Sequence, residues 1–317
     1  MQEEEIYHMN YGIIDIGSNT VRLSVYECWG DEIKILLNKK TTAGLAGYVV
    51  DGALSFEGID RCIGVLLSYR SITSIFQLEG LSVFATASLR NIKNTDEAVR
   101  RIEEQTGFHI DVILGQEEAV LDFVGATHAL PLQSGLVIDI GGGSIELVSF
   151  EERRIKDAAS IDVGSLSLYS QYVSGLFPTK EERKEIKATV LRKLEALSQY
   201  RGFSAESVCG IGGTIRGACR VYNKANRMPV DNRQFPADSV KKLLGYYKNP
   251  DKKALELVLK TVPDRIHTIL PGMLALQVIL DYFGTETVYV SSFGVREGYL
   301  YQNVLGKGIA DGGPKEV

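Results

Sequence analysis

The sequence predicts two α/β domains with a cleft between them. Three observations predict it. The first is a duplicated loop, Asp15-Ile16-Gly17-Ser18-Asn19-Thr20 and Asp139-Ile140-Gly141-Gly142-Gly143-Ser144, each entered through Ile-Asp-Ile-Gly at the end of an apolar run. The second is a mixture of strand-like and helix-like segments that follows each copy of the loop. The third is length: 317 residues suffice for two domains, each burying its own core.

The elements follow in order. Tyr11 to Ile16 and Val21 to Tyr26 are β-rich runs around the first loop, which predicts a hairpin, and Leu136 to Ile140 with Ile145 to Phe150 repeat it around the second. Ile59, Cys62, Ile63, Leu66 and Leu67 share one helical face before Gly80, and Leu81 to Ala85 then reads as a buried strand. Asn94 to Gln105 reads as a helix closed by Gly107. Thr179 and Glu182 form a capping box that opens a charged helix to about Tyr200. Val208 to Gly212 is a strand entering the glycine turn Gly210-Ile211-Gly212-Gly213-Thr214. Thr268 to Tyr282 is a long apolar helix containing Pro271, and Val288 to Ser292 is a last strand before a final helix. The hinge is expected near Gly125, with residues 1–125 plus 296–317 in one domain and 126–295 in the other.

Composition narrows the function. Hydrophobic residues make up 44% and charged ones 24%, an ordinary globular balance. A net charge of −5 argues against a nucleic-acid partner, which needs a basic face. Cys28, Cys62, Cys209 and Cys219 lack CxxC spacing, so neither zinc nor a disulfide framework is indicated, and a cytoplasmic protein with reduced thiols is expected. The acidic start Met1-Gln2-Glu3-Glu4-Glu5 is unlike a secretory signal, no apolar run reaches a membrane span, and the glycine-rich end from Gly306 to Pro314 is expected to fray.

The loops carry the chemistry. Backbone N–H groups of a small-residue turn can converge on an anion while the aspartate at its entrance holds a metal. Gly17, Ser18, Asn19 and Thr20 form one such turn and Gly141, Gly142, Gly143 and Ser144 another, with Gly212, Gly213 and Thr214 as a third glycine motif. None fits GxxxxGK[ST] or GxGxxG. Asp139 and Glu146 flank the second loop, where both could approach one cation, although Glu146 reads equally as an exposed strand residue and either loop aspartate as a simple cap of its own turn. Glu117 and Glu118 fall in the first turn of a helix, which suits the helix dipole and also suits holding a water for attack on phosphorus. Arg22 and Arg90 sit beside small-residue turns and match phosphate oxygens geometrically. His8, His109, His128 and His267 show no metal-binding spacing.

Taken together, Ile14 to Thr20, Gly115-Gln116-Glu117-Glu118-Ala119, Val137 to Glu146 and Gly210 to Thr214, in that order, resemble the exopolyphosphatase/guanosine pentaphosphate phosphatase (Ppx/GppA) family over nearly the whole chain. The resemblance implies an actin-like architecture (sugar kinase/Hsp70/actin, RNase H-like) and a phosphohydrolase dependent on Mg²⁺ or another divalent cation. By position, Glu117 matches the family's catalytic glutamate and Asp139 and Glu146 its metal-binding acids. Asp15 with Gly17 to Thr20, Gly141 to Ser144, and Gly212 to Thr214 match its phosphate loops, and Arg90 lies in a stretch like its Thr-x-x-Leu-Arg. Asp162-Val163-Gly164-Ser165 is also similar, with no role assigned. The chain resembles the short form, without a helical C-terminal region, and it carries His267 where an acid is common.

The implied reaction is release of the terminal phosphate from inorganic polyphosphate, from pppGpp, or from both. Lys39, Lys40, Arg153 and Arg154 are candidates for a basic track or for ordinary surface charge. A homodimer is what the resemblance favours. Two rivals stand beside it: a small-molecule kinase of the same superfamily, and a sensor that binds guanosine polyphosphate without turnover.

Overall fold

A computed structural model describes residues 8–30, 32–130, 132–248 and 252–307, and the chain divides by compactness into residues 1–114 and 115–317. The expectations for Met1 to Glu5 and for 308–314 lie outside the described residues.

The first unit opens with three antiparallel strands, β1 (His8–Ile16), β2 (Thr20–Trp29) and β3 (Glu32–Thr42), so the predicted hairpin extends to a third strand. A small pair, β4 (Val49–Val50) and β5 (Ala53–Leu54), precedes α1 (Phe56–Thr73), which is capped by Ser55. Then come β6 (Gly80–Ala85), α2 (Ala87–Arg90), α3 (Thr95–Thr106) and β7 (Asp111–Val112). Gly107 ends α3 in the left-handed conformation, as its position predicts. The five-stranded order is β3-β2-β1-β6-β7, with β6 parallel to β1 and β7 parallel to β6. Ile59, Cys62, Ile63, Leu66 and Tyr69 of α1 share a core with Ile14, Ile16, Leu23, Val25 and Val83.

The second unit begins with α4 (Gly115–Ala129) and repeats the strand plan: β8 (Gly135–Ile140), β9 (Ile145–Glu151) and β10 (Arg154–Ile161) are antiparallel. After α5 (Ser165–Tyr172) and α6 (Lys180–Glu195) comes β11 (Ser207–Ile211), parallel to β8. Then follow α7 (Gly212–Asn226), β12 (Gln234–Pro236), α8 (Asp238–Tyr246), α9 (Lys252–Thr261), α10 (Ile269–Tyr282) and β13 (Thr287–Val290). The last described elements are α11 (Val295–Tyr299) and the π-helical turn over Leu300–Val304 into which it runs. The six-stranded order is β10-β9-β8-β11-β13-β12. Both sheets thus carry the antiparallel triple followed by two parallel strands that defines the actin-like, RNase H-like arrangement, and the second adds β12 antiparallel at its edge.

Alternation along β8 and β9 sorts their side chains onto two faces. Leu136, Ile138, Ile140, Ile145 and Leu147 enter the large core beneath α6, α7 and α10. Val137, Val148 and Phe150, with Cys209 and Ile211 of β11, pack instead against Ala119, Phe123 and Ala126 of α4. Asp139 and Glu146, two residues from Val137 and Val148, belong to this α4 face.

Three elements differ in extent from the sequence reading. The charged helix keeps its capping box, with Thr179 Oγ1 accepting from the Glu182 N–H, but ends at Glu195. The third glycine motif is no loop, because α7 begins at Gly212 directly after the strand. The compact units part at Leu114 rather than at Gly125, and they place α4 and α11 in the second unit. The two helices touch backbone to backbone: a Cβ on Gly298 would lie 1.8 Å from the Leu121 carbonyl oxygen. Among the described residues no helix is long and apolar enough to cross a membrane.

Candidate active site

The two glycine loops are built alike, each within its own unit. In the second unit the Gly141 N–H donates to the Ser144 carbonyl at 3.0 Å, closing a tight turn between β8 and β9. The Gly141 carbonyl accepts from the Ser165 N–H and hydroxyl, and the Gly142 carbonyl from the N–H groups of Leu166 and Ser167. A trans peptide points its N–H opposite its C=O. With both carbonyls turned to α5, the Gly142 and Gly143 N–H groups face away from it, the arrangement an anion needs. The Asp162-Val163-Gly164-Ser165 stretch, unassigned from sequence, is the brace that sets this turn.

In the first unit the Gly17 N–H donates to the Thr20 carbonyl at 3.1 Å, and the carbonyls of Ser18 and Asn19 accept from Ala46, Ala43 and Gly44. Asp15 stands directly across from Arg22 in the hairpin register. Ser88 Oγ bonds the Ile16 carbonyl, and Arg90 donates to the Ile113 carbonyl at 3.1 Å, so both are anchored near the end of β1 or its parallel neighbours. The predicted residues of this unit therefore gather at the C-terminal end of β1.

Beside the second loop lies a cluster of acids. Asp139 and Glu146 are direct cross-strand partners on β8 and β9. The face of α4 that carries Ala119 and Phe123 also carries Glu118 and Asp122, four residues apart. Glu146 is 2% exposed, Asp122 1% and Glu118 8%. Burial, then Glu118 and Asp139, hold the Glu146 carboxyl well above the usual range, against hydrogen bonds from Ser144 and Ser160. The Ser160 hydroxyl donates to Glu146 at 2.8 Å. Burial, then Asp139, Glu146 and Glu118, raise Asp122 in the same way. Glu117, by contrast, is exposed at the start of α4.

The donor set fits a divalent cation. Like charges gathered this way disfavour the ionised form of each carboxyl. A cation relieves the repulsion, and an all-oxygen set without histidine or thiolate suits Mg²⁺, which is bound through one or two carboxylates plus water and phosphate oxygens.

The third glycine motif completes this side of the sheet. Gly212 has φ +75°, and a Cβ there would lie 1.9 Å from Asp139 Oδ1, so only glycine permits both the backbone and the carboxylate. Gly213 sits against the Arg265 guanidinium. Arg216, one turn into α7, donates to the Ser292 carbonyl at 3.1 Å. Its guanidinium is held below its usual value by burial and by Arg296, while Asp139 and Glu297 favour its charge. Thr214 is buried beneath this turn, its methyl facing Gly272.

A family model for the Ppx/GppA phosphatase family matches residues 24–307. The chain belongs to that family. A Haemophilus influenzae protein provisionally named an exopolyphosphatase is 28% identical over 302 residues, spanning 94% of this chain and 92% of that one. The crystal structure of the Aquifex aeolicus Ppx/GppA family member superposes with a TM-score of 0.77 at 25% identity, covering 95% of this chain and 99% of that one. An exopolyphosphatase structure from Cytophaga hutchinsonii gives 0.84 at 21% identity, over 95% and 100% of the two chains, and speaks to the fold.

Within this Ppx/GppA chain, the second unit brings Asp139, Glu146, the loop Gly141 to Ser144 and the start of α7 at Gly212 to Thr214 to one region of the sheet, while Glu117 stands exposed on the first turn of α4, one residue before buried Glu118. Asp15, Gly17 to Thr20, Arg22 and Arg90 form the first unit's group. Asp122, Arg216 and Arg265 had no assigned role. One signal for Asp122 was present: an acid at i+4 from Glu118 in the middle of an apolar helical stripe. Arg216 and Arg265 carried none, because nothing in sequence links them to Asp139 or Gly213. Lys39, on β3, lies 6.0 Å from the Tyr69 ring, and Arg153 donates to the Thr127 carbonyl at 2.7 Å. His267 meets the Tyr169 hydroxyl at 3.1 Å.

Proposed function

We propose that this protein hydrolyses a terminal phosphoanhydride with a divalent cation, Mg²⁺ by its donor set, releasing orthophosphate from inorganic polyphosphate, from pppGpp, or from both. One observation carries the reading: the buried carboxyls of Glu146, Glu118 and Asp122 and the half-buried one of Asp139, from two strands and a helix, gather beside a glycine turn whose N–H groups are directed outward, in a chain of a phosphatase family. The relatives named exopolyphosphatase support polyphosphate as the substrate class.

Asp139 and Glu146 would hold the cation, which supplies neutralisation of charge on the phosphoryl oxygens. Every other role falls to the chain. The Gly142 and Gly143 N–H groups receive phosphoryl oxygens, and the fixed turn requires no reorganisation as charge spreads onto them. Glu117, exposed on the first turn of α4, orients the attacking water and takes its proton. Arg265 and Arg216 add positive charge at the start of α7. Asp15, Gly17 to Thr20, Arg22 and Arg90 are the first unit's phosphate contacts.

The test is phosphate release by the purified protein, without any acceptor, from polyphosphate and pppGpp offered singly and in competition. Release is expected with Mg²⁺ and abolished by EDTA. Glu117→Gln should lower turnover by about 10²–10⁴-fold while substrate still binds. Near-normal turnover in that variant removes Glu117 from the mechanism, and phosphate passing only to an added acceptor replaces hydrolysis with kinase chemistry.

A further inference from the structure

Asp122 is the buried acid that the reading above leaves without a task. It lies on α4, not on the strands that carry Asp139 and Glu146, and its side chain is 1% exposed. Neither carboxylate oxygen has a partner in hydrogen-bonding geometry, and the Val295 N–H favours the charged form without reaching that geometry. One oxygen stands 3.2 Å from where a Cβ on Gly294 would be, so the carboxyl is wedged between the start of α11 and the acids of β8 and β9. Asp139, Glu146 and Glu118, all of its own sign, are the charges that raise its carboxyl most.

A purely structural role does not explain such a side chain. Leucine or asparagine fills similar space, and an orphaned buried carboxyl costs about 1–3 kcal/mol or more. A folded protein retains it where something absent from the bare chain supplies the missing partner. On α4 its neighbours Ala119, Phe123 and Ala126 are apolar, which leaves the start of α11 on one side and the acid cluster on the other.

We infer that Asp122 is a positioning residue of the divalent-cation site, accepting hydrogen bonds from water bound to the cation that Asp139 and Glu146 hold. This rests on the proposed metal role of those two acids. Among the described residues no three acid, histidine or cysteine side chains form a complete metal cage, and Asp122 is placed behind the ligands because it stands on α4, off the strands that carry Asp139 and Glu146. An outer carboxylate of this kind raises affinity through its charge and fixes the bound water's orientation, and losing one commonly weakens metal binding by about 10–100-fold. Of the other acids on α4, Glu118 is buried one turn nearer the helix start and acts on Glu146, and Glu117 is exposed.

The experiment measures thermal unfolding of the full chain, without substrate, in EDTA and across a Mg²⁺ titration, for wild type and Asp122→Asn. A cation that binds the folded form alone raises the midpoint in proportion to the logarithm of its concentration over Kd. Wild type should respond to Mg²⁺, and Asp122→Asn should need about 10-fold more Mg²⁺ for the same rise. In EDTA the variant should be at least as stable as wild type, since a buried like charge is gone. An unchanged Mg²⁺ dependence, or a variant destabilised in EDTA with its metal response intact, makes Asp122 a packing residue and overturns the inference alone. A wild-type chain indifferent to Mg²⁺ overturns the metal reading together with it. Should asparagine prevent folding, Asp122→Ser, smaller and neutral, is read the same way, and failure of both to fold assigns the residue to the fold.

Discussion

Gly212 shows how much of this site rests on single atoms. Its left-handed backbone starts α7, and the hydrogen where another residue would carry a Cβ is what allows the Asp139 carboxylate to lie against the chain. Alanine there meets both a disfavoured φ and a carboxylate at 1.9 Å. Gly212→Ala is expected to cost about 1–3 kcal/mol and to weaken Mg²⁺ binding by displacing Asp139; a variant with wild-type melting and wild-type metal response would show that the carboxylate lies elsewhere. The cysteines illustrate the opposite case, residues whose chemistry burial has switched off. All four are free and buried, and loss of hydration pushes the Cys62 and Cys209 thiols up to about 12 and Cys28 to about 11. Thiolate is the reactive form, so at about pH 8 a thiol reagent should label the native protein slowly and all four positions rapidly after denaturation. Fast native labelling of any one would mark a locally open segment.

At the scale of elements, the decisive contact is between α4 and α11, because it fixes the height and rotation of the helix that carries Glu117, Glu118 and Asp122. Gly298 lies against the Leu121 carbonyl, and Gly125 against Gly294 at the other side of the contact. Gly298→Ala has to push the two helices apart, at about 1–3 kcal/mol by the usual cost of overpacking. A melting temperature several degrees lower, with a weaker Mg²⁺ response, is expected; an unaffected metal response would mean that α4 keeps its place without α11. This contact is also where the sequence was least legible. The hairpins, the capping box at Thr179 and the Gly107 cap were readable because each depends on neighbours in sequence, through turn chemistry or a three-residue hydrogen bond. The close approach of Gly298 had no signal in the sequence because its reason is a carbonyl oxygen of a helix more than 150 positions earlier. The motif at Gly212 was seen but taken for a turn, since a glycine pair after a strand has the same local signature whether the chain turns or starts a helix. Of the site, the loops and their acids were legible as a repeated pattern; Asp122 and the arginines acquired meaning only when β8, β9, α4 and α7 were assembled.

The whole molecule is two units with the same antiparallel-then-parallel strand plan, yet they are not equivalent. The Asp139 loop has α4 on its face of the sheet, with two further buried acids, and it alone is braced by the backbone of α5. Asp15 is answered by Arg22 across its hairpin, so in the first unit a carboxylate stands opposite a cation where in the second Asp139 stands opposite Glu146. On the proposed function, the cation belongs with the second unit's acids. Every acid of the cluster, with the loop, α4, α7 and α11, falls within residues 115–317, together with a core that runs from Leu136 to Val290. A protein of residues 115–317 alone is therefore expected to unfold cooperatively and to be stabilised by Mg²⁺ as the full chain is, while releasing no phosphate, because the first loop with Arg22 and Arg90 is missing. Calorimetry in EDTA and in Mg²⁺, beside a phosphate-release assay, checks all three expectations. A fragment that folds but ignores Mg²⁺ when the full chain responds would move part of the metal site into residues 1–114, and would refute the assignment of the cation to the second unit's acids.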